Sequence, residues 1–252
     1  MCLLAFALDS HPRYRLVLAA NRDEDLSRPA SVAGFWDDAP HILAGRDLEA
    51  GGTWLGVSEG GRLAALTNYF GPSEYAKDKL SRGRLIPEFL SGSMTAQEYL
   101  QQLEQTGDRY NGFGLIFGYG GDLGYYSNRG DAIARLPIGI YGLSNHLLDT
   151  PWPKVATATE GLRHIIKGEE IDPEDIFRLL ADPERHPDHL LPDTGVSPER
   201  ERALSAVFVN HDDYGTRTST VVLIDRDDRI RFLERSFDRQ QRITNTVEFL
   251  LD

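Results

Sequence analysis

Cysteine and positive charge are both scarce in this sequence, and each shortage excludes a class of protein. The 252 residues include one cysteine, Cys2, so no disulfide can form within the chain and a secreted, disulfide-stapled fold is not indicated. Lys and Arg number 27 against 39 Asp and Glu, which gives a net charge of −12. Proteins that bind nucleic acid neutralise phosphates with Lys and Arg, so this balance argues against nucleic acid and against an anionic membrane surface. An anionic small molecule stays compatible, because it needs only a local basic pocket.

A long hydrophobic run is also missing at the amino terminus. The apolar stretch 2–8 is far shorter than the roughly 20 residues of a transmembrane helix, and no basic segment precedes it as in a signal peptide. We therefore predict a cytoplasmic protein without a membrane span, in which this stretch is a buried first strand. The seven histidines are scattered, and His186 and His189 have no further ligands beside them, so no metal site is predicted.

The order of apolar patterns predicts an α+β fold. Residues 2–8 and 14–20 are apolar runs separated by turn residues, which indicates a β-hairpin, and a polar loop is predicted from Arg22 to about Pro40. Further along, strands and helices alternate in groups, with helices at the capping box Thr95–Glu98, after Pro153 and at Asp172. Residues 182–200 are predicted to form a surface loop. No linker divides the chain, so residues 1–252 are predicted to be one domain of stacked sheets with helices outside them.

The predicted hairpin places a polar quartet beside the only thiol. If its turn centres near His11, the numbers of paired residues sum to about 22 and Cys2 lies opposite Ala20. The segment 21–24, Asn-Arg-Asp-Glu, then lies immediately next to Cys2.

This arrangement suits a nucleophile at the chain's own amino terminus. Removal of Met1 would give Cys2 a free α-amino group, a general base whose pKa is about 7.7–8.0. Asp23 could orient that amine, Arg22 could bind an anion or lower the thiol pKa, and Asn21 could donate to an oxyanion. The alternatives are also open: Cys2 as a small core residue, and the charged quartet as a solvated loop or a local salt bridge.

Several segments in the expected order resemble the NRDE family, also called the transport and Golgi organization protein 2 family. The first is Met1-Cys2-Leu3 followed by residues 20–24, Ala-Asn-Arg-Asp-Glu. The others are Gly51-Gly52-Thr53-Trp54-Leu55-Gly56, Ala65-Leu66-Thr67-Asn68, Ser81-Arg82-Gly83, Gly142-Leu143-Ser144-Asn145 and residues 214–220. Together they span almost the whole chain.

That family in turn resembles the N-terminal-nucleophile (Ntn) hydrolases of the penicillin V acylase and bile salt hydrolase branch. The resemblance implies a four-layer αββα sandwich with Cys2 as nucleophile, Asp23 holding the amine, and Asn68 and Asn145 contacting the oxyanion and amine. The candidate substrate-binding residues are Asn21, Arg22, Trp54 and Arg217. One departure is that those hydrolases carry an arginine where this chain has Ala20, whereas its own arginine follows Asn21.

Two functions follow from the resemblance. The first is a cysteine amidohydrolase or acyl-transfer enzyme that acts on a small amide or ester, breaks carbon–nitrogen bonds other than peptide bonds and needs no cofactor. The second is a non-catalytic carrier of haem, lipid or acyl-CoA, in which Cys2 could be a soft ligand. A third, a structural role in membrane trafficking, has no amphipathic helix or lipidation signal to support it. Substrate and oligomeric state stay open.

Overall fold

The computed structural model describes residues 2–71, 76–130 and 132–252, and these ranges form fourteen strands and five α-helices. The strands are β1 (Cys2–Leu8), β2 (Tyr14–Asp25), β3 (Ala30–Trp36), β4 (Ala39–Asp47), β5 (Leu55–Ser58), β6 (Arg62–Asn68), β7 (Phe113–Tyr119), β8 (Asp122–Ser127), β9 (Ala132–Ile133), β10 (Gly139–Ser144), β11 (Asn210–His211), β12 (Tyr214–Asp225), β13 (Ile230–Phe237) and β14 (Ile243–Leu251). The helices are α1 (Leu85–Ser91), α2 (Ala96–Thr106), α3 (Pro153–Ile165), α4 (Pro173–Leu180) and α5 (Pro198–Leu204). No helix in the described ranges is long and apolar enough to cross a membrane.

The strands form two antiparallel sheets. In the first, the order is β10-β1-β2-β12-β13-β14, and the short β11 pairs with β12. In the second, the order is β3-β4-β5-β6-β7-β8-β9, so consecutive strands are neighbours throughout. Strand β1 therefore lies inside the first sheet, between β10 and β2, with hydrogen-bonded partners on both edges.

Alternating side chains of β1 enter two different hydrophobic cores. Leu4, Phe6 and Leu8 pack between the two sheets, whereas Leu3, Ala5 and Ala7 pack beneath α3 and α4. A third core lies between the second sheet and helices α1 and α2. Three cores separate four layers, which confirms the predicted α+β, αββα sandwich and explains why stretch 2–8 is apolar at every position.

The predicted loop 22–40 was wrong, and the predicted loop 182–200 was wrong only in its last three residues. In the predicted polar loop 22–40, β2 continues to Asp25 and β3 follows. Strand β3 is an edge strand with few buried residues, so it lacks a clear hydrophobic pattern. In the predicted loop 182–200, α5 begins at Pro198, and the Ser197 side chain caps it by accepting from the Arg200 backbone amide.

The hairpin register differs from the predicted one by two residues. Cys2 pairs with Arg22 rather than Ala20, because the numbers of paired residues sum to 24, which centres the hairpin on Pro12 instead of His11. The Asp9 amide closes this loop by donating to the Arg15 carbonyl over 2.7 Å. A shift of two residues leaves every side chain on its face of the sheet, so Cys2 and Arg22 point to the same side.

A buried carboxyl group joins the two sheets. Glu234 on β13 is 2% exposed, and its carboxylate accepts the Ala33 amide of β3 at 3.0 Å and the Thr220 hydroxyl at 3.1 Å. Burial raises the pKa of Glu234 to about 7, against the effect of these hydrogen bonds and of Arg22. Between the ordinary glutamate pKa and about 7, the folded protein therefore keeps a proton that the unfolded chain releases.

Glu234→Gln should flatten the pH dependence of stability. The free energy of unfolding of the unmutated protein falls as pH rises through this window, by roughly 2–3 kcal/mol between pH 5 and pH 8 from this group. The variant has no such ionisation and should lose most of that difference, as measured by urea unfolding at both pH values. Glu248→Gln, at the surface of β14, is the matched control and should keep the original pH dependence. Identical pH dependence in all three proteins would contradict the role given to Glu234.

Candidate active site

Cys2, the first residue of β1, lines a cleft of about 410 Å³. The cleft walls come from β1, β2 and β6, the segment 47–54 and the segment 79–83. Its lining comprises Cys2, Arg22, Glu24, Arg28, Asp47, Glu49, Ala50, Gly52, Thr53, Trp54, Leu66, Asn68, Ala76, Lys79, Leu80, Ser81, Arg82, Gly83 and Asn111. Four predicted site residues are therefore brought together here, namely Cys2, Arg22, Trp54 and Asn68.

The two segments that close the cleft touch through glycine. A side chain at Gly52 would place its Cβ 2.3 Å from the Gly83 carbonyl oxygen, which no ordinary residue tolerates. The Thr53 amide donates to the same carbonyl over 3.1 Å. The glycines of the two sequence motifs are thus needed for the close approach of the two backbones.

The residue Cys2 is partly exposed, and its backbone is held by a hydrogen bond. The Ser144 hydroxyl of β10 donates to the Cys2 carbonyl over 3.0 Å. Burial raises the pKa of the Cys2 thiol, and the charge of Arg22 acts in the opposite direction while those of Asp23 and Glu24 add to the rise. Met1, whose removal is predicted, lies outside the described residues.

Asp23 lies on the other face of β2, beneath the helices. It is 1% exposed, and its Oδ1 accepts the Thr216 hydroxyl of β12 at 2.7 Å. Burial raises the pKa of Asp23, whereas the charge of Lys154 and the Thr216 hydrogen bond act to lower it. Asp23 does not line the cleft, so it can act on Cys2 only from the backbone side of the strands.

Lys154 is a charged group that the sequence reasoning missed. It lies in the first turn of α3 and is 2% exposed. Burial lowers the pKa of Lys154, while the charges of Asp23, Cys2 and Glu201 act against that shift. A signal was present, because Lys154, Ala158 and Leu162 recur at four-residue spacing and so share the buried face of the helix.

The two predicted asparagines have different positions. Asn145 is fully buried, and its side-chain amide donates to the Asn68 carbonyl over 3.0 Å. The Asn145 carbonyl accepts the Phe70 amide at 2.7 Å, which ties the end of β10 to the segment after β6. Asn145 does not line the cleft, whereas Asn68 does, and the Asn68 side chain makes no hydrogen bond to the described residues.

Arg22 and Trp54 form one wall of the cleft. The Arg22 guanidinium stacks 4.3 Å from the centroid of the Trp54 ring, an arrangement that holds its plane. The Arg22 side chain is only 3% exposed, and Nη2 is 3.6 Å from Asp47 Oδ2 and 3.9 Å from Glu24 Oε2. Trp54 thus lines the cleft and also packs in the core between the sheets.

Two predicted substrate-binding residues do not line the cleft. Asn21 points under the helices, where its amide donates to the carbonyls of Leu180 and Val207 over 2.8 and 2.9 Å. Its Oδ1 accepts the Ser219 hydroxyl, so the side chain has a structural role. Arg217 occupies an irregularity in the β2–β12 pairing, and its Nη1 donates to the carbonyls of Asp25 and Arg28, each at 3.0 Å. Across the described ranges, no three His, Cys, Asp or Glu residues are arranged to hold a metal ion.

Asn145→Ala should destabilise the protein, whereas Asn68→Ala should not. The first change removes the buried donor to the Asn68 carbonyl and should lower the free energy of unfolding by about 1–3 kcal/mol. The second removes a side chain that bonds to nothing described, and its effect should stay within about 0.5 kcal/mol. Urea unfolding of both variants checks this. Equal losses would mean that Asn68 also has a structural role.

Comparisons with known proteins agree with this architecture. The family model described as Transport and Golgi organisation 2 matches residues 1–239. The mouse Transport and Golgi organization 2 homolog is 38% identical over 276 residues, which cover 100% of this chain and 99% of the mouse protein. The Drosophila melanogaster Transport and Golgi organization protein 2 is 27% identical over 264 residues, covering 94% of this chain and 92% of the fly protein.

Two solved structures share the fold at low sequence identity. A Caenorhabditis elegans ortholog of N-acylethanolamine-hydrolyzing acid amidase matches with a TM-score of 0.53 and 15% identity, covering 88% of this chain and 92% of that one. A mutant of conjugated bile acid hydrolase from Clostridium perfringens matches with a TM-score of 0.57 and 9% identity, covering 99% of this chain and 92% of that one. The chain therefore belongs to the Transport and Golgi organisation 2 family and has the αββα sandwich fold of the Ntn hydrolases.

Proposed function

We propose that this protein is a cysteine amidohydrolase or acyl-transfer enzyme for a small amide or ester, with Cys2 as its amino-terminal nucleophile. The observation that carries the proposal is the position of Cys2, partly exposed on the cleft wall at the very start of β1. Its neighbours on the paired strand are Arg22 within the cleft and Asp23 behind it. A thiol that only filled a core would need neither the cleft nor these charges.

Each step of the reaction has a group to perform it. After removal of Met1, the α-amine of Cys2 takes the thiol proton, and the thiolate sulfur attacks the substrate carbonyl carbon. The tetrahedral intermediate collapses when the protonated amine gives its proton to the leaving nitrogen or oxygen. The acyl group, now bound to Cys2 as a thioester, is transferred to water or to another acceptor.

The negative oxygen of the intermediate needs a donor in the cleft. The Asn68 side-chain amide is suited to this role, because it lines the cleft and has no competing partner among the described residues. Asn145 would act through it as a positioning residue, since its amide holds the Asn68 carbonyl.

Asp23 and Lys154 would support the amine from the buried side. A buried carboxylate needs a cation nearby to stay ionised. Among the charges that lower the pKa of Asp23, that of Lys154 has the largest effect. An ionised Asp23 can hold the α-amine of Cys2 in the orientation that reaches the thiol. The hydroxyl of Thr216 fixes the rotamer of the Asp23 carboxylate.

The first test is acylation of the purified protein by p-nitrophenyl acetate, with intact mass as the readout. We expect a mature chain that begins at Cys2 and gains one acetyl group there, at a rate that rises with pH through the amine pKa of about 7.7–8.0. Cys2→Ala should gain none. Asp23→Asn should lower the rate about 100-fold or more, in line with loss of general base catalysis. Acetylation of Cys2→Ala at the original rate, or a retained Met1, would refute the proposal.

The carrier function for haem, lipid or acyl-CoA stays a prediction. The cleft is lined mainly by charged and polar side chains, which suits a small polar substrate better than a large apolar ligand. A Soret band that appears on adding haem and disappears in Cys2→Ala would favour the carrier over the enzyme.

A further inference from the structure

Among the described residues, one buried cation of the cleft wall, Arg22, has an unsatisfied hydrogen-bond donor. Arg22 is 4% exposed, yet its Nη1 has no hydrogen-bond partner in the described part of the chain. Buried guanidinium nitrogens are ordinarily hydrogen-bonded, because a donor that loses water without gaining an acceptor is costly. An unsatisfied donor on a cleft wall is therefore an indication that a ligand supplies the acceptor.

The nearby carboxylates do not fill this role. Asp47 is engaged by Arg28, whose Nε and Nη2 lie 2.7 and 3.3 Å from the two Asp47 oxygens. The distances of 3.6 Å to Asp47 and 3.9 Å to Glu24 both belong to Nη2 of Arg22 and exceed hydrogen-bond length. These carboxylates flank Nη2 of the guanidinium, and neither is recorded within hydrogen-bond distance of Nη1.

The local charge also favours an anion. Seven charged side chains line the cleft, and four of them are cationic although the chain as a whole carries a net charge of −12. The cationic ones are Arg22, Arg28, Lys79 and Arg82. Against the three carboxylates of Glu24, Asp47 and Glu49, these four cations give the lining a net charge of +1, and a local excess of positive charge in an acidic protein attracts small anions.

The location of Arg22 relates this anion to the thiol. Cys2 and Arg22 are directly opposite in the antiparallel pair and share a face, which sets their Cβ atoms about 4.5–5.5 Å apart. In a substrate whose anionic group binds Nη1 of Arg22, only a few bonds would therefore separate that group from the carbonyl carbon that the Cys2 sulfur attacks.

We propose that Arg22 is an oxyanion-binding subsite beside Cys2, which selects amides or esters carrying a carboxylate or phosphate close to the scissile carbonyl. The substrate class rests on the proposed function, whereas the subsite itself can be tested without turnover. The planar guanidinium, held against Trp54, presents paired donors to two oxygens of one anionic group.

The test compares two alkylating agents that differ in charge, iodoacetate and iodoacetamide. In each reaction the Cys2 thiolate attacks the methylene carbon and iodide leaves, so only the carboxylate of iodoacetate can use Arg22. We expect the ratio of iodoacetate to iodoacetamide rates at Cys2 to exceed that of the free dipeptide Cys-Leu by about tenfold, the value of one charge-assisted hydrogen bond. Intact mass and peptide mapping give both rates.

Variants separate Arg22 from the general field of the cleft. Arg22→Gln should return the ratio to that of the dipeptide, and Arg22→Lys, which keeps the charge, should retain part of the preference. Lys79→Gln measures that field: it removes one positive charge from the cleft, and among the described residues its ammonium group donates to the Asp108 carbonyl. Its ratio should fall, but by much less than that of Arg22→Gln, because Lys79 adds to the positive charge of the cleft without lying opposite Cys2.

A second measurement does not need a reactive thiol. Inorganic phosphate or acetate, compared with chloride at equal ionic strength, should raise the Tm of the protein and of Cys2→Ala but not of Arg22→Gln. Whichever anion gives the larger shift and the better protection of Cys2 against iodoacetate identifies the anionic group as phosphate or carboxylate.

The outcomes distinguish the two proposals. An iodoacetamide-reactive Cys2 with no iodoacetate preference and no anion-dependent shift in Tm would overturn the subsite while the proposed function stands. An unreactive Cys2 in a protein that phosphate or acetate stabilises through Arg22 would overturn the proposed function and leave the subsite.

Discussion

The pairing of β1 with β2 is the constraint on which the rest of the site depends. Strand β1 is apolar on both faces, so it is stable only inside a sheet that is covered on both sides. That position fixes its first residue, Cys2, against the charged end of β2. If the register of β2 shifted by one residue, Arg22 would lie under the helices and Asp23 in the core between the sheets, away from their present partners. The hydrophobic pattern of one strand thus determines the placement of the charges.

Alternation along β2 divides those charges into two sets. Arg22 faces the cleft with Asp47, Arg28 and Glu24, and Asp23 faces the helices, near Lys154. Isolated charges cannot stay ionised in a protein interior, so each side needs its own compensating ions. The Cys2 thiol lies between the two sets, with a cation on its cleft side and a carboxylate behind it. The proposed reaction would use this separation, because the substrate would approach Cys2 from the cleft while Asp23 would hold the Cys2 amine from the opposite side.

Sequence patterns predicted the layers well and the site only in part. The apolar runs and capping signals predicted stacked sheets with helices outside them, because each layer has its own periodicity, whereas the four-layer αββα order was implied by the family resemblance. The predicted hairpin also placed Cys2 beside residues 21–24. The register was two residues out, since the length of a turn with a left-handed residue at Asp9 cannot be inferred from composition. The structural role of Asn21 depends on carbonyls more than 150 residues away. Arg28, Glu49 and Lys79 line the cleft from segments outside the strands and helices, and no local sequence pattern encodes their contacts.

The departure at Ala20 has a simple geometric meaning in this fold. Ala20 and Arg22 lie on the same face of β2, two residues and about 7 Å apart along the strand. Ala20 is 4% exposed and packs in the core between the sheets, where a guanidinium would need a buried partner. At position 22 the guanidinium still faces the side of Cys2, but it stacks on Trp54 at the cleft wall. An arginine at position 22 instead of 20 keeps the same face of β2, but it lies opposite Cys2 at the cleft, whereas position 20 lies opposite Leu4 in the core.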